Sequence, residues 1–154
     1  MRIAYLEDDS DQAALLRKWL EGAGHVCHHF DRGHALQRSL ARESFDLYLL
    51  DWHLPDSDGL EILKAIRARA PQAPVIFATA RDRDDDIARA LQAGADDYIA
   101  KPVRQGELLA RIEAVARARA RSRAGSFRAA CVRTAAPMCS PTISTPTPAG
   151  ARSG

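Results

Sequence analysis

No apolar run in these 154 residues exceeds a few positions, far short of the roughly 20 that a membrane-spanning helix requires. Cysteine is also scarce. Cys27, Cys131 and Cys139 stand at no metal-ligating spacing, which argues against a disulfide framework and a zinc site and suits a reducing compartment. Met1-Arg2 leads directly into a strand-like segment with no secretory or transit pattern, so the expected location is the cytoplasm and no membrane partner is expected. Acid is missing from the last part of the chain. All 20 Asp and Glu lie at or before Glu113. Residues 1–121 carry a charge of −2, and the remaining 33 carry +4, from Arg123, Arg128, Arg133 and Arg152. The net +2 therefore conceals two chemically different parts, and the first has the size of one domain.

What is present is alternation. Short apolar runs occur at Ile3–Leu6, Val26–Phe30, Leu47–Leu50, Val75–Ala78 and Tyr98–Ala100. Between them Leu16, Trp19 and Leu20, then Leu60, Leu63 and Ile66, then Leu108, Ile112 and Val115 recur at helical spacing. Gly22, Gly24 and Gly94 fall where helices should end, and Pro71 and Pro74 precede the fourth strand. Five strands alternating with five helices predict an α/β fold with a parallel sheet covered on both faces. The helix near 83–93 has few apolar positions, Ile87 and Leu91 among alanines, behind an acidic first turn, Asp84-Asp85-Asp86. From about Ser122 the pattern dissolves into Ala, Ser, Thr, Pro, Gly and Arg, and residues 122–154 are read as a disordered tail.

The chemistry sits at the strand ends, where open α/β sheets bind their ligands. The first strand ends in Glu7-Asp8-Asp9, the third in Asp51, the fourth in Thr79-Ala80 and the fifth in Lys101-Pro102. Three converging carboxylates raise one another's pKa unless a divalent cation neutralises them. An oxygen-only ligand set of this kind suits Mg²⁺. With a lysine and a hydroxyl opposite, the constellation reads as a phosphoryl-transfer site in which a carboxylate can be the nucleophile.

At this point the sequence resembles the receiver domain of bacterial two-component response regulators. The resemblance rests on "LEDD", "LLDWHLPDSDGLEIL", "PVIFATAR", "GADDYIAKP" and "ELLARIEAVARAR", in order across residues 1–121. "GADDYIAKP" followed by "ELLARI" is most similar to the OmpR/PhoB subfamily, whose members add a winged-helix DNA-binding domain. It implies a flavodoxin-like (CheY-like) five-stranded parallel sheet of order 2-1-3-4-5 and a switch rather than a metabolic enzyme. It makes Asp51 the phosphoacceptor for a phosphohistidine on a sensor histidine kinase. Asp8 and Asp51 would bind Mg²⁺ directly, Glu7 through water and His53 through its main-chain carbonyl. Lys101 and Thr79 would hold phosphoryl oxygens, Thr79 and Tyr98 would form the switch, and Lys101-Pro102 would be cis. Gly59 fits the tight turn after the phosphorylation loop.

Plainer readings compete at several positions. Asp9 reads better as the cap of the first helix, and Asp58 as the cap of the third. Tyr98 also reads as core. His25, His28, His29 and His34 read as ordinary exposed side chains, because alternation sends strand neighbours to opposite faces. A flavodoxin-type flavin binder would need a Ser/Thr/Gly-rich loop where this chain is acidic. A haloacid-dehalogenase-type phosphatase would need an Asp at position 53.

The chain also departs from the subfamily. His53 and Arg81 flank the phosphoryl position. The resemblance implies homodimerisation on phosphorylation through Asp96, Asp97, Glu107 and Arg111, but Ile87 replaces the basic residue that would partner Glu107. After residue 121 no winged-helix pattern follows, so DNA binding is not expected of this chain by itself. Three readings of the tail stay open: a native extension of a stand-alone receiver acting through protein contacts, an out-of-frame translation of a DNA-binding domain, or a segment that binds something acidic.

Overall fold

A computed structural model describes residues 1–80 and 84–133, with side chains other than those of Thr79, Asp84, Asp86 and residues 123–133. The chain alternates β1 (Arg2–Leu6), α1 (Ser10–Gly22), β2 (Val26–Phe30), α2 (Gly33–Ser39), β3 (Leu47–Leu50), α3 (Gly59–Arg69), β4 (Val75–Thr79), α4 (Asp84–Gln92), β5 (Asp97–Ala100) and α5 (Gln105–Arg133). All strand pairings are parallel and the order is β2-β1-β3-β4-β5, the flavodoxin-like order expected.

Alternation along the strands divides the apolar residues between two cores. Ala4, Leu6, Tyr48, Leu50 and Phe77 point to one face, where Leu36, Ile62, Leu63 and Ile66 of α2 and α3 cover them. Ile3, Tyr5, Leu47, Leu49, Ile76, Ala78 and Ile99 point to the other, under Leu16 and Leu20 of α1 and Leu108 and Ile112 of α5. The central strands are buried on both faces, which is why Leu47–Leu50 reads as an unbroken apolar run. β2 lies at the edge and is only half-covered.

Local signals account for the helix boundaries. Asp9 caps α1 by accepting from the backbone N–H groups of Asp11 (2.9 Å) and Gln12 (3.1 Å), and Asp58 caps α3 by accepting from Leu60 N–H (3.0 Å). Gly24 (φ 83°) and Gly94 (φ 104°) follow α1 and α4 in the left-handed region. Gly59 is different: its φ is not positive. A Cβ there would lie 2.8 Å from Phe77 Cε1 and 3.1 Å from the Asp51 carbonyl oxygen. Close packing beneath the loop between β3 and α3, rather than a special turn conformation, requires glycine.

α5 departs from the sequence expectation. Its backbone stays helical to Arg133, through residues 122–133 read above as disordered. Residues 134–154 lie outside the described residues, as do Arg81, Asp82 and Arg83. Among the described residues no helix is long and apolar enough to cross a membrane.

Candidate phosphoryl and metal site

Parallel pairing carries the acidic residues to one rim. Glu7 N–H donates to Phe30 O (3.0 Å) and Asp51 N–H to Leu6 O (2.9 Å), so both residues continue the ladder just past the strands. Their carboxylates are nevertheless buried, with Glu7 2% and Asp51 7% exposed. The Lys101–Pro102 peptide is cis, as expected. Lys101 Nζ donates to Glu7 Oε2 and to Asp51 Oδ2, each at 2.7 Å.

The electrostatics follow from this burial. Burial pushes the Glu7 carboxyl above its ordinary value, the neighbouring Asp51 charge adds to that, and attraction to Lys101 only partly offsets it. Burial alone would pull the Lys101 ammonium down, but its hydrogen bonds and charge interactions with Asp51 and Glu7 outweigh that and raise it. His53 N–H donates to Asp51 Oδ1 (3.2 Å), fixing the side chain from the loop side.

Carboxylate oxygens of Glu7, Asp8 and Asp51 lie within 4.8 Å of one another, and Asp8 is the exposed member. Three carboxylates against one ammonium leave two uncompensated negative charges when all are ionised. An all-oxygen set with that charge, open to solvent on the Asp8 side, fits Mg²⁺. The histidines disperse instead of clustering. His28 meets the edge of Phe45 and His29 stacks on Tyr5, while His34 Nδ1 lies 2.7 Å from Asp56 Oδ2. His25 and His28 are half-buried, not exposed as read from the sequence.

Thr79 ends β4 opposite Ala100 of β5, which puts its backbone at the same rim; its side chain lies outside what is described. Tyr98 is half-buried against the Leu6, Leu50 and Phe77 core. The four acidic and basic residues of the expected dimer face separate into two groups. Arg111 pairs with Asp97 (2.9 Å) and with Glu107 (3.1 Å), so Glu107 has an intrachain partner despite Ile87. Asp96 accepts from Val75 N–H (2.9 Å), Arg67 Nη2 (2.9 Å) and Arg119 Nε (2.7 Å), joining α3, β4 and α5. Arg67, Arg119 and Asp56 were not singled out from the sequence, since the Arg67–Asp96, Arg119–Asp96 and Asp56–His34 pairs join residues 22 to 29 positions apart.

Comparison with known proteins agrees with this geometry. The family model for the response regulator receiver domain matches residues 3–113. The chain is 36% identical over 117 residues to the transcriptional regulatory protein RprY of Bacteroides fragilis, covering 76% of this chain and 50% of that one. It is 39% identical over 111 residues to CssR of Bacillus subtilis, covering 72% and 49%. The chain thus spans about half the length of these curated relatives. Among solved structures, a CheY-like receiver domain from Methanospirillum hungatei superposes with a TM-score of 0.75 at 28% identity, covering 79% of this chain and 97% of that one. The BeF3-activated receiver domain of RstA from Klebsiella pneumoniae gives 0.72 at 32%, covering 76% and 99%.

Proposed function

Since the chain belongs to the response regulator receiver family, we propose that it accepts a phosphoryl group on Asp51 from a phosphohistidine of a sensor histidine kinase and switches conformation in response. The observation that carries this reading is the buried Asp51 carboxylate held by Lys101 at 2.7 Å beside Glu7 and Asp8. In the transfer an Asp51 oxygen attacks phosphorus, the phosphorus–nitrogen bond to the kinase imidazole breaks, and an acyl phosphate forms. The departing imidazole leaves with the electron pair of that bond and is released neutral, because its other ring nitrogen already carries a proton, so the transfer needs no further proton. Lys101, already placed against Asp51, moves its ammonium onto a phosphoryl oxygen as charge arrives there. Glu7, Asp8, Asp51 and the His53 carbonyl would hold Mg²⁺, which when bound supplies positive charge against the phosphoryl oxygens. His53 N–H keeps Asp51 oriented. Thr79 takes a second phosphoryl oxygen, and Tyr98 follows it inward to reshape the β5 and α5 face.

The protein is in this reading a phosphoacceptor switch whose chemistry is confined to its own aspartate, working in the cytoplasm. In the relatives named as transcriptional regulators the matched segment is about half the chain, so transcription control is the output proposed for the parent subfamily. Homodimerisation through the Asp97, Glu107 and Arg111 face is the accompanying proposal, and a stand-alone receiver working through protein contacts is the alternative output. The test is intact-mass analysis after incubation with acetyl phosphate and Mg²⁺. One added phosphoryl group on the wild type and none on Asp51→Asn is the expected result; an unmodified wild type overturns the reading.

A further inference from the structure

The loop between β3 and α3 holds the His53 carbonyl proposed above as a metal ligand, and its shape is fixed at three places. At the base, His53 and Asp58 form an antiparallel bridge and Gly59 N–H donates to Trp52 O (3.2 Å). At its far side, Asp58 caps α3. The tip is held by a third attachment outside the metal cluster. Asp56 reaches across to the start of α2, where Oδ1 accepts from Gly33 N–H (3.0 Å), and Oδ2 accepts from His34 N–H (3.1 Å) and faces His34 Nδ1 at 2.7 Å. Burial would push the Asp56 carboxyl up, but these His34 and Gly33 N–H groups hold it well below the usual carboxylate range. The approach of loop and helix is close. A Cβ on Gly33 would lie 1.9 Å from Ser57 Oγ and 2.7 Å from Ile62 Cδ1, so α2 presents a bare backbone to the loop tip.

We propose that Asp56 is a positioning residue for the metal-dependent chemistry of Asp51: by clasping the loop tip to the first residues of α2, it sets the loop conformation that aims the His53 carbonyl at the cation. Asp56 itself is not a member of the Glu7, Asp8 and Asp51 cluster. It acts through the backbone of residues 53–56, as partners of ligands commonly orient them, with changes of 10- to 100-fold in metal affinity when such partners are lost. The inference rests on the proposed Mg²⁺ site. It assigns to α2, which contributes no residue to the rim, a part in setting how tightly the metal is held.

The test is a MgCl₂ titration followed by tryptophan fluorescence, Trp52 being buried next to Asp51, together with phosphoryl uptake from acetyl phosphate at saturating Mg²⁺. Asp56→Ala is expected to raise the Mg²⁺ dissociation constant about tenfold and still to take up one phosphoryl group per chain when Mg²⁺ saturates. Asp56→Asn, which keeps an acceptor for the backbone N–H groups, recovers part of the affinity. His34→Ala, at an exposed position that should not threaten folding, shows a smaller loss in the same direction. A folded Asp56→Ala with the wild-type dissociation constant overturns the proposal; if that variant does not fold, an unchanged constant in His34→Ala does so. A wild type that neither binds Mg²⁺ nor takes up phosphoryl overturns the site reading and the clasp together, whereas a competent wild type matched by its variants overturns the clasp alone.

Discussion

Replacing Lys101 by methionine keeps most of the side-chain volume and removes the ammonium that joins Glu7 to Asp51. The three side chains are 11%, 3% and 8% exposed, so solvent screens their interactions little. Removing one partner from a buried charge cluster costs about 3–5 kcal/mol. Glu7 can relieve part of that by taking up a proton, since burial already sets its carboxyl above the ordinary value. The loss should therefore lie at the lower end, about 3 kcal/mol at pH 7.5 without Mg²⁺, measured by urea unfolding in EDTA with circular dichroism. The sign of the pH dependence is fixed by the same shift. A carboxyl whose folded pKa is raised contributes stability that is fully present below its unfolded value, about 4.3, and lost as pH rises through the folded value. Without Lys101 that window moves further up, so the deficit of Lys101→Met should narrow as pH falls from 7.5 toward 5. It should also narrow at strongly alkaline pH, because the raised Lys101 pKa makes its contribution one that is lost as the ammonium deprotonates. If the carboxylates hold Mg²⁺ as proposed, the cation should restore stability to the variant by about 2.7 kcal/mol at a hundred times its dissociation constant. A variant as stable as the wild type at pH 7.5 in EDTA would refute the reasoning, since the contacts of the ammonium would then do no more than offset its desolvation.

Asp96→Ala should destabilise by about 2–3 kcal/mol in the same assay, because it strips Val75 N–H of its acceptor and leaves the mostly buried Arg67 guanidinium without its carboxylate; a loss below 0.5 kcal/mol, an order-of-magnitude bound for exposed pairs, would show the pair to be solvated. Gly59→Ala should cost about 1–3 kcal/mol by overpacking and slow phosphoryl uptake from acetyl phosphate, since its Cβ would press on Phe77 and the Asp51 carbonyl; wild-type uptake kinetics would count against the packing argument.

The rim of the sheet was legible because its residues break a rule the rest of the chain obeys. A carboxylate closing the apolar run Leu47–Leu50, and another following Ile3–Leu6, has no packing reason to be there, and parallel pairing brings the two together. The caps at Asp9 and Asp58 were legible for a local reason, since their partners lie two or three residues away. The attachments of Asp56 and Asp96 were not, because the N–H groups that each satisfies belong to elements distant in sequence. Gly59 was found with the wrong cause: a glycine needed for space looks the same in sequence as one needed for positive φ. The continuation of α5 was missed because residues after 121 were judged by the apolar surface they can bury. Ala and Arg, which dominate "ARARARSRAGSFRAACVR", are also strong helix formers, and a helix already nucleated against the sheet extends more readily than one starting alone.

That long helix gives the molecule a lever. Arg119 anchors α5 to Asp96 at the foot of β5, and the helical backbone runs on to Arg133. At 1.5 Å per residue the segment beyond the anchor is about 21 Å long. A tilt of about 10° at the anchor would displace the far end by about 4 Å. Any tilt of α5 about its tie to Asp96 is therefore several times larger at Arg133 than at the sheet itself.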